Sequence, residues 1–225
     1  MDISIIIFLL GGLFLGWSLG ANDAANVFGT AVGTRMVRFK TAAVVCSIFV
    51  ILGAIISGSG TTETLGKLGA INALPGAFAA CVAAGVSVYL MTKAGLPVST
   101  TQAIVGAIVG WNLYTGSDTN IRVLITILGT WVLCPVIAGV IAMGFFTITK
   151  NYLLRRKLHI LRLDAYTRTA LLLAGAFGAY SLGANNIANV MGVFVPISPF
   201  TDVSISNFFV FSSKEQLFLL GGLAI

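Results

Sequence analysis

A twelve-residue segment occurs twice in this chain and constrains its fold more than any other feature. Ser18–Gly29 reads SLGANDAANVFG, and Ser181–Gly192 reads SLGANNIANVMG, identical at nine of the twelve positions with an offset of 163 residues. Self-similarity at a fixed offset indicates a repeated structural unit. Because both copies carry asparagines within an apolar, glycine-rich run, we interpret them as the two halves of a site.

The composition places these copies in a membrane. Of the 225 residues, 57% are hydrophobic and only 9% are charged, against about 25% charged in soluble domains. Several apolar runs reach the roughly 20 residues that a transmembrane helix needs, without the alternation of a barrel strand. We therefore predict an all-α, polytopic protein of the plasma or inner membrane, surrounded by lipid and not bound to nucleic acid.

The first apolar run is longer than one crossing requires. Residues 3–33 would extend for about 46 Å as a helix, and the polar residues of the first copy lie within them. Exposed backbone and carboxamides are tolerated at membrane depth only against protein or a cavity. The sequence therefore predicts a broken helix at this copy, and an equivalent break at the second.

Basic residues set the predicted topology. Arg35, Arg38 and Lys40 follow the first run, and six further Lys and Arg residues lie between positions 150 and 168. By the positive-inside bias both segments are cytoplasmic, which puts the N-terminus outside. Residues 74–114 form either two full spans or one re-entrant hairpin. Both alternatives return the chain to the side of the membrane that it left, so the predicted topology is the same.

These positions divide the chain into three predicted parts. Residues 1–149 form a first repeat, residues 150–168 a basic, amphipathic cytoplasmic linker, and residues 169–225 the start of a second repeat. The second copy is entered from the opposite side of the membrane, so the two repeats have inverted topology. Inverted repeats with a broken helix in each half are typical of secondary transporters.

The repeated asparagines suit an alkali cation. Asn22, Asp23 and Asn26 share one helical face, and Asn185 and Asn189 repeat the four-residue spacing. Carboxamide and carboxylate oxygens are hard ligands of the kind such cations prefer. The alternative is a small-residue packing face on which the asparagines bind helices together.

A second constellation suits an anion. Pro97–Gln102 reads PVSTTQ, with proline at a favoured helix-starting position and three hydroxyl groups near the free N–H groups of a helix start. Such a helix end binds anions without a buried lysine or arginine. Taken alone, the segment is also compatible with ordinary capping.

These motifs together resemble those of the inorganic phosphate transporter family of sodium- or proton-coupled phosphate symporters. The resemblance rests on GANDAANVFGTAVG at residues 20–33, GANNIANVMG at residues 183–192 and PVSTTQ at residues 97–102, and it covers essentially the whole chain. It implies that the substrate is inorganic phosphate and that the working unit is a homodimer.

The resemblance also assigns roles to individual residues. The implied phosphate-site residues are Asp23, Asn26, Ser99, Thr100, Thr101, Gln102 and Asn186. The implied sodium-site residues are Asn22, Asp23, Asn185, Asn189 and, as a weaker candidate in a loop, Glu63.

Two departures from the family pattern affect these assignments. Position 186 is asparagine where the second copy usually has aspartate, which removes one negative charge and leaves the ion stoichiometry open. The counterpart of Ser99 would fall at about position 262, beyond Ile225. We therefore expect the second repeat to be incomplete in residues 1–225, and these residues alone not to transport.

The sequence thus predicts a secondary active transporter that imports inorganic phosphate by alternating access, coupled to sodium and requiring no cofactor. The alternatives within this class are proton coupling and a sulfate permease of related architecture. A channel-like or structural membrane scaffold is the alternative from another class. An enzyme is not expected, since no nucleophile and base pair is visible. The isolated cysteines Cys46, Cys81 and Cys134 are interpreted as small buried hydrophobes.

The topology can be tested by labelling single cysteines from each side of the membrane. A cysteine at Tyr152 is expected to react with an impermeant thiol reagent only from the cytoplasmic side, because the basic segment around it is retained there. Reaction from the outside of intact cells would contradict the inverted topology.

Overall fold

The structure, a computed structural model, describes residues 3–60, 62, 68, 74–155, 159–206 and 209–225. The described residues form helices and one short antiparallel strand pair: α1 (Ile3–Leu19), a π-helical turn (Gly20–Ala24), α2 (Ala25–Gly33), α3 (Phe39–Ser57), α4 (Leu74–Lys93), α5 (Thr100–Thr115), α6 (Ile121–Arg155), α7 (Ile160–Met191), a 3₁₀ helix (Gly192–Ile197), β1 (Val203–Ser206), β2 (Phe209–Phe211) and α8 (Ser213–Ala224). The predicted all-α class is confirmed.

Four helical segments among these residues are long and apolar enough to cross a membrane. They are Ile5–Gly33, Phe39–Ser57, Leu74–Lys93 and Ile121–Leu153. The chain is therefore a multi-pass membrane protein. The last of these spans packs little within the chain, since only 6% of its most apolar window is buried.

The first long helix is continuous, so the predicted break is wrong. It contains instead a π-helical turn at Gly20–Ala24, and helical dihedral angles continue on both sides of this turn. A π-helical turn keeps its backbone groups hydrogen-bonded while it shifts the phase of the side chains, whereas a break would leave those groups unsatisfied inside the membrane. The second copy is also unbroken, because α7 runs through Met191 before it changes to the 3₁₀ helix.

Helices α4 and α5 form a hairpin whose tip reaches the π-helical turn. Helix α4 runs parallel to α1, with Phe78 against Gly11 and Gly85 against Phe14. Helix α5 returns antiparallel to α4, with Trp111 against Gly76.

The connecting residues, which we call the hairpin tip (Lys93–Thr100), contact Asn22 and Asp23. The nine residues of α2, about 13 Å of helix, separate this level from the end of the span at Gly33. The geometry therefore favours the re-entrant alternative over two full spans.

The helices that carry the two motif copies run antiparallel. Phe28 of α2 packs on Gly175 of α7, and the Arg168 guanidinium donates to the carbonyl of Met36 at 3.0 Å near the other end of the contact. An inverted repeat requires this arrangement. The symmetry that relates the two halves stays a prediction.

The described residues of the basic segment belong mainly to the ends of two long helices. Helix α6 continues to Arg155, and α7 begins at Ile160 with the His159 side chain accepting from the backbone N–H of Leu161. Leucine, arginine and lysine are good helix formers, which explains why both helices extend beyond their apolar parts. The three-part division of the chain stays a prediction.

Glycines allow α3 and α7 to touch backbone to backbone. A Cβ atom at Gly53 would meet the carbonyl of Tyr180, and one at Gly183 would meet the carbonyl of Val50. Close approach at small residues is the usual basis of helix packing in membranes. Gly183 belongs to the second motif copy, so this contact fixes the position of that copy against α3.

We expect Gly53→Ala to destabilise the protein by about 1–3 kcal/mol, since the added methyl group forces α3 and α7 apart. Gly139→Ala is the matched control, because a Cβ there meets no atom within 4 Å and alanine favours the helix. Thermal unfolding in detergent measures both variants. Equal midpoints for Gly53→Ala and the parent would contradict the tight contact.

Candidate functional site

The start of α5 lies inside the protein and leaves backbone donors free. Helix α4 ends at Lys93, and Gly95, two residues later, adopts the left-handed conformation (φ 72°), which turns the chain back. Ser99 then caps α5 by accepting from the backbone N–H of Gln102 at 3.3 Å. The backbone N–H groups of Thr100 and Thr101 have no hydrogen-bond partner among the described residues, as expected for the first turn of a helix.

The first motif copy binds to this helix start through Asn22 and Asp23. The Asn22 amide donates to the carbonyl of Val98 at 2.8 Å and to Asp23 Oδ1 at 2.6 Å. The Thr100 hydroxyl donates to Asp23 Oδ2 at 3.0 Å. Asn22 is buried and Asp23 half-buried, so the carboxylate is held by two donors next to the free N–H groups.

The second motif copy reaches the same helix start from α7. The Asn189 amide donates to the Thr101 hydroxyl at 2.9 Å and to Asn186 Oδ1 at 2.8 Å. Asn189 is 2% exposed and Asn186 7%. The adjacent residues Thr100 and Thr101 therefore bind one motif copy each, and the two separate sequence constellations form one site.

The copies do not contribute equivalent residues. At the predicted offset Asn26 corresponds to Asn189 and Asn185 corresponds to Asn22, yet Asn26 and Asn185 are both exposed. Asn26 has no hydrogen bond to any residue that the structure describes, since it lies one turn beyond the reach of the hairpin tip. The prediction that Asn26 acts beside Asp23 therefore has no support from these contacts.

A cavity of about 550 Å³ lies beside the helix start. It is lined by five predicted site residues, namely Ser99, Thr101, Gln102, Asn185 and Asn189. Asp23 and Asn186 lie behind this lining, each bonded to a residue of the lining or its neighbour. Glu63, the remaining sodium-site candidate, lies outside the described residues.

The opposite wall of the cavity comes from α6 and was missed by sequence reasoning. Its residues there include Thr130, Trp131, Cys134 and Pro135. The sequence contained a signal for this wall of the cavity. Pro135 lies inside an apolar helix, where it removes the hydrogen bond to the carbonyl four residues earlier. Cys134 is exposed, so its predicted burial is wrong, whereas Cys46 and Cys81 are buried as predicted.

Comparison with known proteins agrees with this geometry. A model of the phosphate transporter family matches residues 19–225, which include the second motif copy, the hairpin tip and all of the first copy except Ser18. The chain belongs to the phosphate transporter family. Members of this family are transporters, which are not enzymes.

Individual members of the phosphate transporter family are similar to this chain over part of their length. A protein named "Putative phosphate permease" from Thermococcus kodakarensis is 34% identical over 167 residues, covering 70% of this chain and 41% of the relative. A protein named "Sodium-dependent phosphate transporter" from Plasmodium falciparum is 33% identical over 156 residues, covering 64% of this chain and 23% of the relative. The chain thus spans less than half the length of these relatives.

A solved structure titled "The sodium-dependent phosphate transporter" has the same fold. It superposes with a TM-score of 0.76 at 23% identity, covering 99% of this chain and 74% of the other. At this identity the likeness concerns the fold, and it confirms the predicted helical membrane architecture.

We expect Asn189→Ala to weaken the contact between α7 and the start of α5. The change leaves the Thr101 hydroxyl and Asn186 Oδ1 without their donor, which costs about 1–3 kcal/mol at a buried position. Asn185→Ala is the matched control, because Asn185 is exposed and four residues earlier on α7. Thermal unfolding and amide hydrogen exchange at residues 99–105 report the change. Identical exchange in both variants would contradict the role of Asn189.

Proposed function

We propose that the protein is a secondary active transporter that imports inorganic phosphate, coupled to sodium, by alternating access. The observation that carries this proposal is the convergence of both motif copies on the start of α5, where Thr100 binds Asp23 and Thr101 binds Asn189. This arrangement supports the proposal, because secondary transporters bind their substrates near the midplane, where helix ends from two repeats meet.

The start of α5 suits the anion. The free N–H groups of Thr100 and Thr101 point at the same region as the positive end of the helix dipole. The hydroxyls of Ser99 and Thr101 line the neighbouring cavity. No lysine or arginine is needed beside them, since backbone donors hold a phosphate group at such a helix end.

Asn22 and Asp23 suit the cation, with Asn185, Asn189 and Glu63 as the remaining predicted ligands. The Asp23 carboxylate and the Val98 carbonyl both accept from the Asn22 amide nitrogen, at 2.6 and 2.8 Å, so two oxygen ligands already lie close together there. Sodium bound there would neutralise Asp23, which otherwise repels an anion at Thr100. Binding of the two ions is then mutually favourable, and by linkage each raises the affinity for the other.

Asp23 also favours the binding of phosphate over that of sulfate. Phosphate near neutral pH keeps at least one P–OH group, which can donate to a carboxylate, whereas sulfate is fully ionised and offers only acceptors. Acceptors that face each other in a dry site are strongly disfavoured. Proton coupling remains the runner-up driver, since a proton on Asp23 would remove the same charge.

The proposal includes the features that the resemblance implies for the whole protein. These are a homodimer in the plasma or inner membrane. The N-terminus is proposed to lie outside and residues 150–168 on the cytoplasmic side, on the ground of the basic residues that follow the spans. The implied features also include inverted repeats that move relative to each other.

Uptake of radiolabelled phosphate and sulfate into proteoliposomes tests the function with the full-length protein. Sodium and pH gradients are imposed separately at a fixed membrane potential. We expect saturable phosphate uptake driven by sodium. In Asp23→Asn, sodium dependence should weaken and the preference for phosphate over sulfate should fall by roughly tenfold or more, whereas Asn186→Asp should mainly change ion coupling.

Asp118→Asn is the matched control, since Asp118 is an exposed acid in the loop between α5 and α6. Uptake without saturation or ion dependence would favour the channel-like alternative. Unchanged sodium dependence together with unchanged selectivity in Asp23→Asn would overturn the role given to Asp23.

A further inference from the structure

A column of polar side chains continues from the hairpin tip to the end of α2. Asn26, Thr30 and Thr34 follow Asn22 at four-residue intervals, so they share one helical face. We call these three residues the polar column. All three are exposed, whereas Asn22 is covered by the tip.

The other faces of α2 are packed or apolar. Phe28 packs on Gly175, and Val27 lies 3.2 Å from the position of a Cβ at Gly178, so that face meets α7. Ala25 and Gly29 line an apolar groove shared with α3. The polar column is therefore distinct from both faces, and it ends next to the exposed residue Arg35.

Lys93 lies in the hairpin tip, which contacts Asn22, four residues before the polar column begins. It is exposed, and it directly follows Thr92, whose hydroxyl donates to Asn22 Oδ1 at 3.5 Å. Its ammonium group lies 5.9 Å from the centre of the Tyr89 ring, which stacks on Trp17 at 5.7 Å. Because Tyr89 precedes Lys93 on α4, the side chain folds back along α4, away from the end of the span at Gly33.

This position is unfavourable for a charge in lipid. Lysines near the ends of spans normally extend toward the interface, and a lysine deeper in the membrane usually faces a water-filled cavity or other protein. The exposed side chains of the polar column provide polar neighbours for water along α2. A hydrated surface therefore accounts for both the column and the folded-back lysine.

We propose that the polar column lines a water-filled path that leads from the side of the membrane on which Arg35 lies to the hairpin tip. Lys93 attracts the transported anion at the end of this path that lies at the hairpin tip. The inference rests on the proposed function for the identity of the anion. A positive charge at the end of a narrow path raises the local anion concentration.

Thiol labelling tests the path independently of transport. Thr30→Cys, Lys93→Cys, Ala25→Cys and Lys40→Cys are made in full-length protein whose Cys46, Cys81 and Cys134 are replaced by alanine. An impermeant, negatively charged methanethiosulfonate reagent is added to either side of sealed vesicles, and Lys40→Cys marks the side of Arg35. We expect Thr30→Cys and Lys93→Cys to react from that side at least roughly tenfold faster than Ala25→Cys, because a thiolate forms only in water.

Equal rates at Thr30→Cys and Ala25→Cys, or reaction of Lys93→Cys only from the opposite side, would overturn the path. The labelling result stands even when the parent protein takes up no phosphate, so failure of the proposed function is recognised separately.

Transport kinetics test the role of Lys93. We expect Lys93→Gln to raise the KM for phosphate by about three- to tenfold with the sodium dependence retained, and Lys93→Arg to restore the parent value, because only the charge is required. Lys40→Gln is the control for a general loss of positive charge. A KM for Lys93→Gln equal to that of the parent, with labelling as expected, would remove Lys93 from the proposal.

Discussion

Backbone donors that remain free inside a membrane are the constraint on which this structure depends. The first turn of α5 cannot bond its own N–H groups, and no bulk water is available in hydrocarbon to replace that bond. The protein surrounds this turn with polar groups from two distant segments, so that Asp23 meets Thr100 and Asn189 meets Thr101. We propose that an anion binds to these free N–H groups.

Close packing of small residues makes this convergence possible. Gly53 and Gly183 let α3 and α7 touch, and Gly11 and Gly85 bring α1 against α4. These contacts position α7 and the start of α5 to within hydrogen-bonding distance of each other. A larger side chain at such a glycine would separate the two motif copies before it altered any residue of the site.

The sequence predicted the site's composition better than its geometry. Asn22, Asp23, Thr100, Thr101 and Asn189 follow from the repeat and from the helix-start pattern. The exposure of Asn26 does not, because it depends on how far the hairpin tip extends. Pro135 marked α6 as irregular, but the sequence does not show which helix faces the cavity, because that is set by tertiary packing. The predicted break in the first copy was wrong because a π-helical turn reorients side chains without losing backbone hydrogen bonds. The second copy is unbroken because α7 continues through Met191.

The central claim is that phosphate binds at the backbone of the α5 start. Solid-state NMR distance measurement between ³¹P of bound phosphate and ¹⁵N of threonine amides tests it most directly, in sodium-containing bilayers. The account predicts two threonine amides, those of Thr100 and Thr101, at about 4 Å from phosphorus, as an N–H···O bond requires. Bound phosphate without a threonine amide near that distance would contradict the account.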